Sequence, residues 1–273
     1  TIAPNSYSGL LMLLVAFSLA LVAGLRYEVG VDWRGYMESY ENLKQLGYDR
    51  ALLERWELGY SMINQSLAKL NFSYQLMFFA VALIGWWVYA KAIPFALLPL
   101  TLLFTFAGEI YFWSNNAVRQ FEAAYFFLYA LQFVKSQELL KYSAFLFLVS
   151  LFHISVLLMW PLYFVLKRIP LNKFIMPAII VLSFLFGQKG IYIQILQWIE
   201  SYAVVVLGLF GYLGYVDRLM NFREIDLGLG FYWIVLTNFL VATIVPFFKK
   251  SDSRMDMFFV AFVIGAVLFN LLY

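Results

Sequence analysis

Runs of about twenty apolar residues alternate along this chain with short polar breaks, the pattern of helices long enough to cross a hydrocarbon layer about 30 Å thick. Such runs occupy residues 7–25, 74–90, 95–112, 117–134, 174–188, 229–248 and 255–273. The stretch 26–73 breaks the pattern. It holds thirteen charged residues, and within it Tyr36, Met37, Tyr40, Leu43 and Leu46 recur at helical spacing. It reads as a long outer loop carrying one or two interfacial helices. Segment 187–230 reads as a second outer segment or lid, because an apolar stretch with Gly208, Gly211 and Gly214 runs into Asp217, Arg218, Arg223, Glu224 and Asp226. No basic region precedes the first span and no small-residue cleavage site follows it, so it is expected to stay rather than be removed as a signal peptide. The sequence opens on Thr1 and its last apolar run reaches Tyr273 without a polar tail, so both ends are expected to continue into further residues.

Composition narrows the class. The chain is 64% hydrophobic and 13% charged with a mean hydropathy of +0.80, too little polar surface to cover a water-soluble globule. Nineteen basic residues against sixteen acidic ones, a net charge of +3, exclude a basic nucleic-acid binder,. With no cysteine and one histidine, disulfides, thiolate chemistry and Cys- or His-rich metal sites are excluded as well,. The expected fold is an all-α polytopic membrane protein, one membrane domain over 1–273 with about eight to ten transmembrane or re-entrant helices.

Basic residues in the short loops set the orientation. With the N-terminus inside, the inner loops carry Lys91, Lys135, Lys141, Lys167, Arg168, Lys173, Lys249, Lys250 and Arg254 against only Glu138, Asp252 and Asp256. The apolar run 142–166 then has basic residues at both ends, and a single crossing would put one group outside. A re-entrant hairpin of two half-helices removes the conflict, with its tip at Phe152-His153-Ile154-Ser155; a plain tilted span is the alternative. At about 1.5 Å per residue, half of the run climbs about half the hydrocarbon thickness. The only histidine then sits near mid-membrane or just outside it.

Ionisable groups in or beside hydrocarbon are costly and mark sites or pathways. Four clusters stand out. Arg26, Glu28, Asp32 and Arg34 crowd the start of the outer loop, with Gly30 and Gly35 beside them; solvated loop charges would also look like this. Glu57 lies between aromatics in Trp56-Glu57-Leu58-Gly59-Tyr60. In Ser114-Asn115-Asn116-Ala117-Val118-Arg119-Gln120, Asn116 is expected to cap the following helix, which puts Arg119 in its first turn,. A cation there opposes the helix dipole. An anion such as pyrophosphate explains it, and so does pairing with Glu122 or Glu109. The fourth cluster is His153 with Ser155. No Walker, nucleophile-elbow, zincin or Asp-x-Asp motif is present.

Taken in order, these clusters resemble the EpsG family of Wzy-like bacterial polysaccharide polymerases. The family pattern runs Arg-x-x-x-Gly-x-Asp-x-x-x-Tyr, Glu-x-Gly-Tyr, Asn-x-x-Arg-Gln and Phe-His-x-Ser. It is matched here by Arg26, Gly30, Asp32 and Tyr36; Glu57, Gly59 and Tyr60; Asn116, Arg119 and Gln120; and Phe152, His153 and Ser155. Leu58 stands where the pattern has proline, and the resemblance covers roughly residues 8–170. It implies a GT-C-like membrane glycosyltransferase that joins oligosaccharide repeat units carried on polyprenyl pyrophosphate, for O-antigen, capsule or exopolysaccharide. The implied place is the bacterial inner membrane with the active site toward the periplasmic, outer face. The implied partners are the lipid-linked donor and acceptor, the bilayer and a chain-length regulator, with no nucleic acid, cofactor or metal.

The resemblance carries a set of roles. His153, Asp32 and Glu57 are the candidate catalytic residues, any one of them the general base. Arg119, Arg26 and Arg34 are the candidates for pyrophosphate, and Tyr36, Tyr60, Asn116, Gln120 and Ser155 for substrate contacts. A single inverting displacement is expected. The competing function is a flippase or exporter that binds the same lipid-linked sugars without reaction.

Overall fold

The computed structural model describes residues 6–46, 57–107, 110–166, 172, 174–187, 229–248 and 259–267. Among these residues the regular elements are all helical. They fall into two compact units, Thr1–Val165 and Leu166–Tyr273.

In the first unit, α1 (Ser6–Leu25) is followed by α2 (Trp33–Leu46), α3 (Leu58–Lys69) and α4 (Tyr74–Ala92). A short 3-10 turn leads into α5 (Leu98–Ala107), then α6 (Ile110–Asn116), α7 (Val118–Lys135) and α8 (Leu139–Ser150). A 3-10 segment (Ile154–Met159) and α9 (Leu162–Val165) complete it. In the second unit α10 (Ile175–Gly187) packs against α11 (Leu229–Phe248), and a further helical stretch covers 259–267. Segment 188–228, most of the expected lid, lies outside the described residues, as do the ends of the expected span 255–273. Trp56, Glu109 and the basic groups at 167–168, 173, 249–250 and 254 lie outside them too.

The helix lengths follow the apolar runs. Ser8–Leu25 and Tyr74–Ala92 are each long and apolar enough to cross a membrane, and Phe95–Ala107 with Ile110–Asn116 is so as a bent pair; Leu139–Ser150, Ile154–Val165, Ile175–Gly187 and Phe231–Phe247 are shorter apolar helical stretches. The first two pack on each other. Lipid tails are as apolar as leucine, so such a pair is held by close packing, which small residues permit. The buried face of α1 is accordingly Ala16, Ala20 and Ala23, and at Gly24 an added Cβ would lie 2.7 Å from Phe79 Cβ. The opposite face exposes Leu10, Leu14, Phe17, Leu21 and Val22, a surface suited to lipid.

Within 26–73, where interfacial helices are expected, the described helices are α2 and α3. Their apolar sides converge with α4 and the start of α7 on a core of Trp33, Tyr36, Tyr40, Tyr60, Met77, Phe78, Val81 and Val118. Tyr40 has no exposed surface and donates to the Phe72 carbonyl at 3.1 Å, which satisfies its hydroxyl inside that core,.

The run 142–166 doubles back. Tyr142 donates to the Met159 carbonyl at 2.7 Å, Trp160 Nε1 donates to Ser143 Oγ at 2.8 Å, and the rings of Tyr142 and Tyr163 are 5.5 Å apart. Seventeen residues of straight helix would hold such partners about 25 Å apart. The chain turns at Leu151–His153, where the helical hydrogen bonding of α8 ends.

Candidate functional site

Three separate stretches meet at Glu57. This residue precedes α3 with an extended backbone (φ −61°, ψ 147°), and its carboxylate makes no capping hydrogen bond to that helix. The oxygens turn elsewhere: Oε2 pairs with Arg119 Nη1 and Oε1 lies 2.8 Å from His153 Nδ1. The Ile154 amide also donates to Oε1, at 3.4 Å. Exposure of the three side chains is 9% for Glu57, 18% for Arg119 and 12% for His153, so the contact is largely sheltered from water while Arg119 and His153 keep an open edge.

Backbone contacts place these groups. The amides of Gly59 and Tyr60 both donate to the Leu151 carbonyl, at 2.6 and 3.3 Å, which docks the start of α3 on the hairpin turn. Gly59 is needed for that approach, since a Cβ there would lie 2.9 Å from the same carbonyl. Phe152 stacks on Phe126 of α7 with ring centroids 5.7 Å apart and holds the turn against the helix that carries Arg119.

The electrostatics follow from the geometry. Burial alone would raise the Glu57 carboxyl, but the His153 hydrogen bond and the Arg119 charge outweigh it and hold it down at about 2,. An ionised carboxylate only accepts hydrogen bonds, so His153 must present Nδ1–H to it. Nε2 is then the nitrogen left to take or give a proton. Arg119 also reaches the Tyr36 hydroxyl. Burial pushes that phenol up, against the lowering pull of Arg119. The Arg119 guanidinium lies 5.9 Å from the centre of the Tyr60 ring, and its Nε meets no protein acceptor.

The remaining sequence candidates divide. Asn116 does not cap α7: the residue preceding that helix is Ala117, with no side-chain cap, because α6 runs through Asn116 itself. Its side chain instead accepts from the Asp32 amide at 2.9 Å, beside Gly30, whose φ of +93° suits glycine,. That clamp fixes the backbone of Asp32 and leaves its side chain exposed. Arg26 is buried, donates to Asn115 Oδ1 at 2.8 Å and stacks 4.2 Å over the Phe78 ring. Burial lowers it to about 10. Arg34 stands on the exposed face of α2 and pairs with Glu38 at 2.7 Å. Tyr60 is fully buried, its hydroxyl 3.6 Å from Met77 Sδ. Gln120 and Ser155 are exposed.

Sequence reasoning missed that Arg119 pairs with Glu57, sixty-two residues away, rather than with Glu122; Glu109 lies outside the described residues. It also missed the Leu151 carbonyl, a backbone group with no sequence signal. Among the described residues no group of three His, Cys, Asp or Glu side chains is placed to hold a metal ion.

A family model described as the EpsG family matches residues 9–273. No curated protein and no solved structure matches the chain. The match extends past residue 170 to the end of the sequence.

Proposed function

The chain belongs to the EpsG family of Wzy-like polysaccharide polymerases, and on that premise we propose that it is a membrane glycosyltransferase joining polyprenyl-pyrophosphate-linked oligosaccharide repeat units. The observation that carries this reading is the contact of Glu57 with Arg119 and His153. A base, the carboxylate that orients it and a guanidinium stand together at a sheltered but open edge.

The hydroxyl of an acceptor repeat unit attacks the anomeric carbon of the lipid-linked chain. A new C–O glycosidic bond forms as the bond from that carbon to the pyrophosphate oxygen breaks, and polyprenyl pyrophosphate leaves with the electron pair. The acceptor proton passes to His153 Nε2. Glu57, held ionised, is a poor base near neutral pH; it orients His153 and stabilises the imidazolium that forms. Negative charge grows on the leaving oxygen. Arg119, whose side chain keeps an exposed edge beside Glu57, is the cation we assign to that charge,. One displacement inverts the anomeric centre. Exposed Asp32, Gln120 and Ser155 are the groups we assign to sugar hydroxyls, and Asn116 acts through Asp32.

In this reading the protein works in the bacterial inner membrane with Glu57, Arg119 and His153 toward the outer face, and O-antigen, capsule or exopolysaccharide is the product class. The test is purified protein in nanodiscs with a synthetic polyprenyl-pyrophosphate repeat unit, read as a gel ladder. Chains of two or more repeat units support the polymerase. Uptake of the lipid-linked unit into vesicles with no ladder, beside an active control enzyme, would leave the flippase reading instead.

A further inference from the structure

The chain stays apolar on its outside after α1 ends at Leu25. Leu25, Tyr27, Val29 and Val31 are all exposed, Tyr27 to 67% and Val31 to 91%. On α1 itself the exposed Leu10, Leu14, Phe17, Leu21 and Leu25 follow one another at intervals of three or four residues, so they share one stripe,. The loop carries that apolar surface on beyond the helix. This end of α1 lies beside the start of α4, because an added Cβ at Gly24 would meet both Phe79 and the Gln75 carbonyl. There the rings of Tyr27 and Trp33 are 5.3 Å apart and those of Trp33 and Tyr74 5.7 Å. Such amphipathic rings are favoured where apolar and wet surroundings meet. Leu70 and Phe72, just before α4, are exposed as well.

Helix α2 is built the other way. Its apolar residues Trp33, Tyr36, Tyr40 and Leu43 are buried in the protein. Its exposed residues Arg34, Glu38, Asn42 and Gln45 recur at helical spacing on one polar face, with Arg34 and Glu38 paired across a turn. A helix lying in a membrane surface turns an apolar face to lipid, and the apolar side of α2 is already used. The loop before it is the part with apolar side chains to offer. Glu28 and Asp32 are exposed in the same stretch, which suits the level of lipid headgroups rather than the hydrocarbon interior,.

We propose that residues 25–31 are a lipid-binding segment that dips into the headgroup–acyl boundary of the leaflet at the Leu25 end of α1, with the polar face of α2 in water. The occupant is bilayer lipid because the loop prolongs the lipid-facing stripe of a membrane-crossing helix without a break. An exposed valine gains by leaving water, and the bilayer is the apolar medium that α1 already occupies. The Asp32 amide is bonded to the Asn116 side chain, three residues before Arg119, so the depth of the loop is tied to the depth of the start of α7. On the polymerase reading this sets Asp32 and Arg119 at the level of a lipid-linked pyrophosphate and its first sugar. That corollary rests on the polymerase reading; the placement of the loop does not.

The sequence contains no cysteine, so a nitroxide can be attached at one chosen position at a time. The whole chain carrying Val31→Cys, Asn42→Cys or, as a lipid-facing control, Leu14→Cys is spin-labelled in phosphatidylcholine nanodiscs. Power saturation then compares collisions with oxygen, which concentrates in lipid, and with a water-soluble nickel chelate. The ratio of oxygen to nickel collisions is expected to be several-fold higher at position 31 than at position 42, and to share the lipid sense of position 14. Nickel-dominated collisions at 31 would put the loop in water and overturn the proposal. Poor access of both reagents at 31 would mean that protein covers it, a second copy included, and would overturn it too. Oxygen-dominated collisions at 42 would lay α2 in the membrane and contradict the placement. Val29→Cys is read in the same way if Val31→Cys gives no monodisperse protein. The measurement needs no turnover, so it decides the loop even if the unaltered protein makes no ladder.

Discussion

His153 Nδ1 lies 2.8 Å from Glu57 Oε1, a contact that closes ninety-six residues of chain. It fixes the imidazole through one nitrogen and leaves the other to react. Its consequences are open to direct test.

His153→Ala removes the proposed base and is expected to lower the rate of glycan extension about a hundred- to ten-thousand-fold, the usual share of general-base catalysis. Folding should persist, since the turn is also held by Gly59 and Tyr60 on the Leu151 carbonyl. Kinetics of repeat-unit consumption check this. Unchanged turnover would remove His153 from the chemistry.

Glu57→Gln should separate orientation from charge. Glutamine keeps an acceptor for His153 but gives Arg119 no charged partner, and leaving one member of a buried pair costs about 3–5 kcal/mol. Both melting temperature and activity are expected to fall. Arg119→Lys should rescue Arg119→Ala poorly, because a point charge cannot span Glu57, Tyr36 and a phosphate as a planar fork does.

The same carboxylate sets an acid limit. In the folded protein it is held at about 2, against 4.5 for an ordinary glutamate. A depressed carboxyl contributes stability that is present above the unfolded value and is lost as pH falls through the folded one. The contact between α3 and the hairpin turn should therefore weaken as pH falls from about 4.5 toward 2. Melting curves across that range are expected to slope less for Glu57→Gln than for the unaltered protein.

Gly59→Ala tests the docking without touching a charged group. The added methyl meets the Leu151 carbonyl at 2.9 Å, and overpacking of this kind costs about 1–3 kcal/mol. Activity should fall together with melting temperature. Gly30→Ala is expected to do the same at the Asp32 clamp, where φ is +93°.

Much of the fold was legible in the apolar runs. Expected spans 7–25, 74–90, 117–134, 174–188 and 229–248 correspond to helices Ser6–Leu25, Tyr74–Ala92, Val118–Lys135, Ile175–Gly187 and Leu229–Phe248, because in each case only a helix satisfies the backbone of a long apolar stretch. The expected span 95–112 is covered by the 3-10 turn, α5 and α6, with α6 bent by 66° from the helix before it. Apolar character alone does not show such a bend. The hairpin was legible only through the lysines and arginine flanking 142–166. At the site, the sequence pointed to Glu57, Arg119 and His153 as separate clusters. Which of them touch was not legible, since the partners lie sixty-two and ninety-six residues apart and meet through backbone bonds to Leu151. Asn116 misled for a local reason: the same residue type that caps a helix also clamps a neighbouring loop amide.

Release of polyprenyl pyrophosphate, measured together with glycan length in a single turnover, tests the polymerase site most directly. The unaltered protein should release one lipid pyrophosphate for each repeat unit added, and a folded Arg119→Ala variant should do neither. Binding or movement of the lipid-linked unit with no pyrophosphate released by the unaltered protein would contradict it.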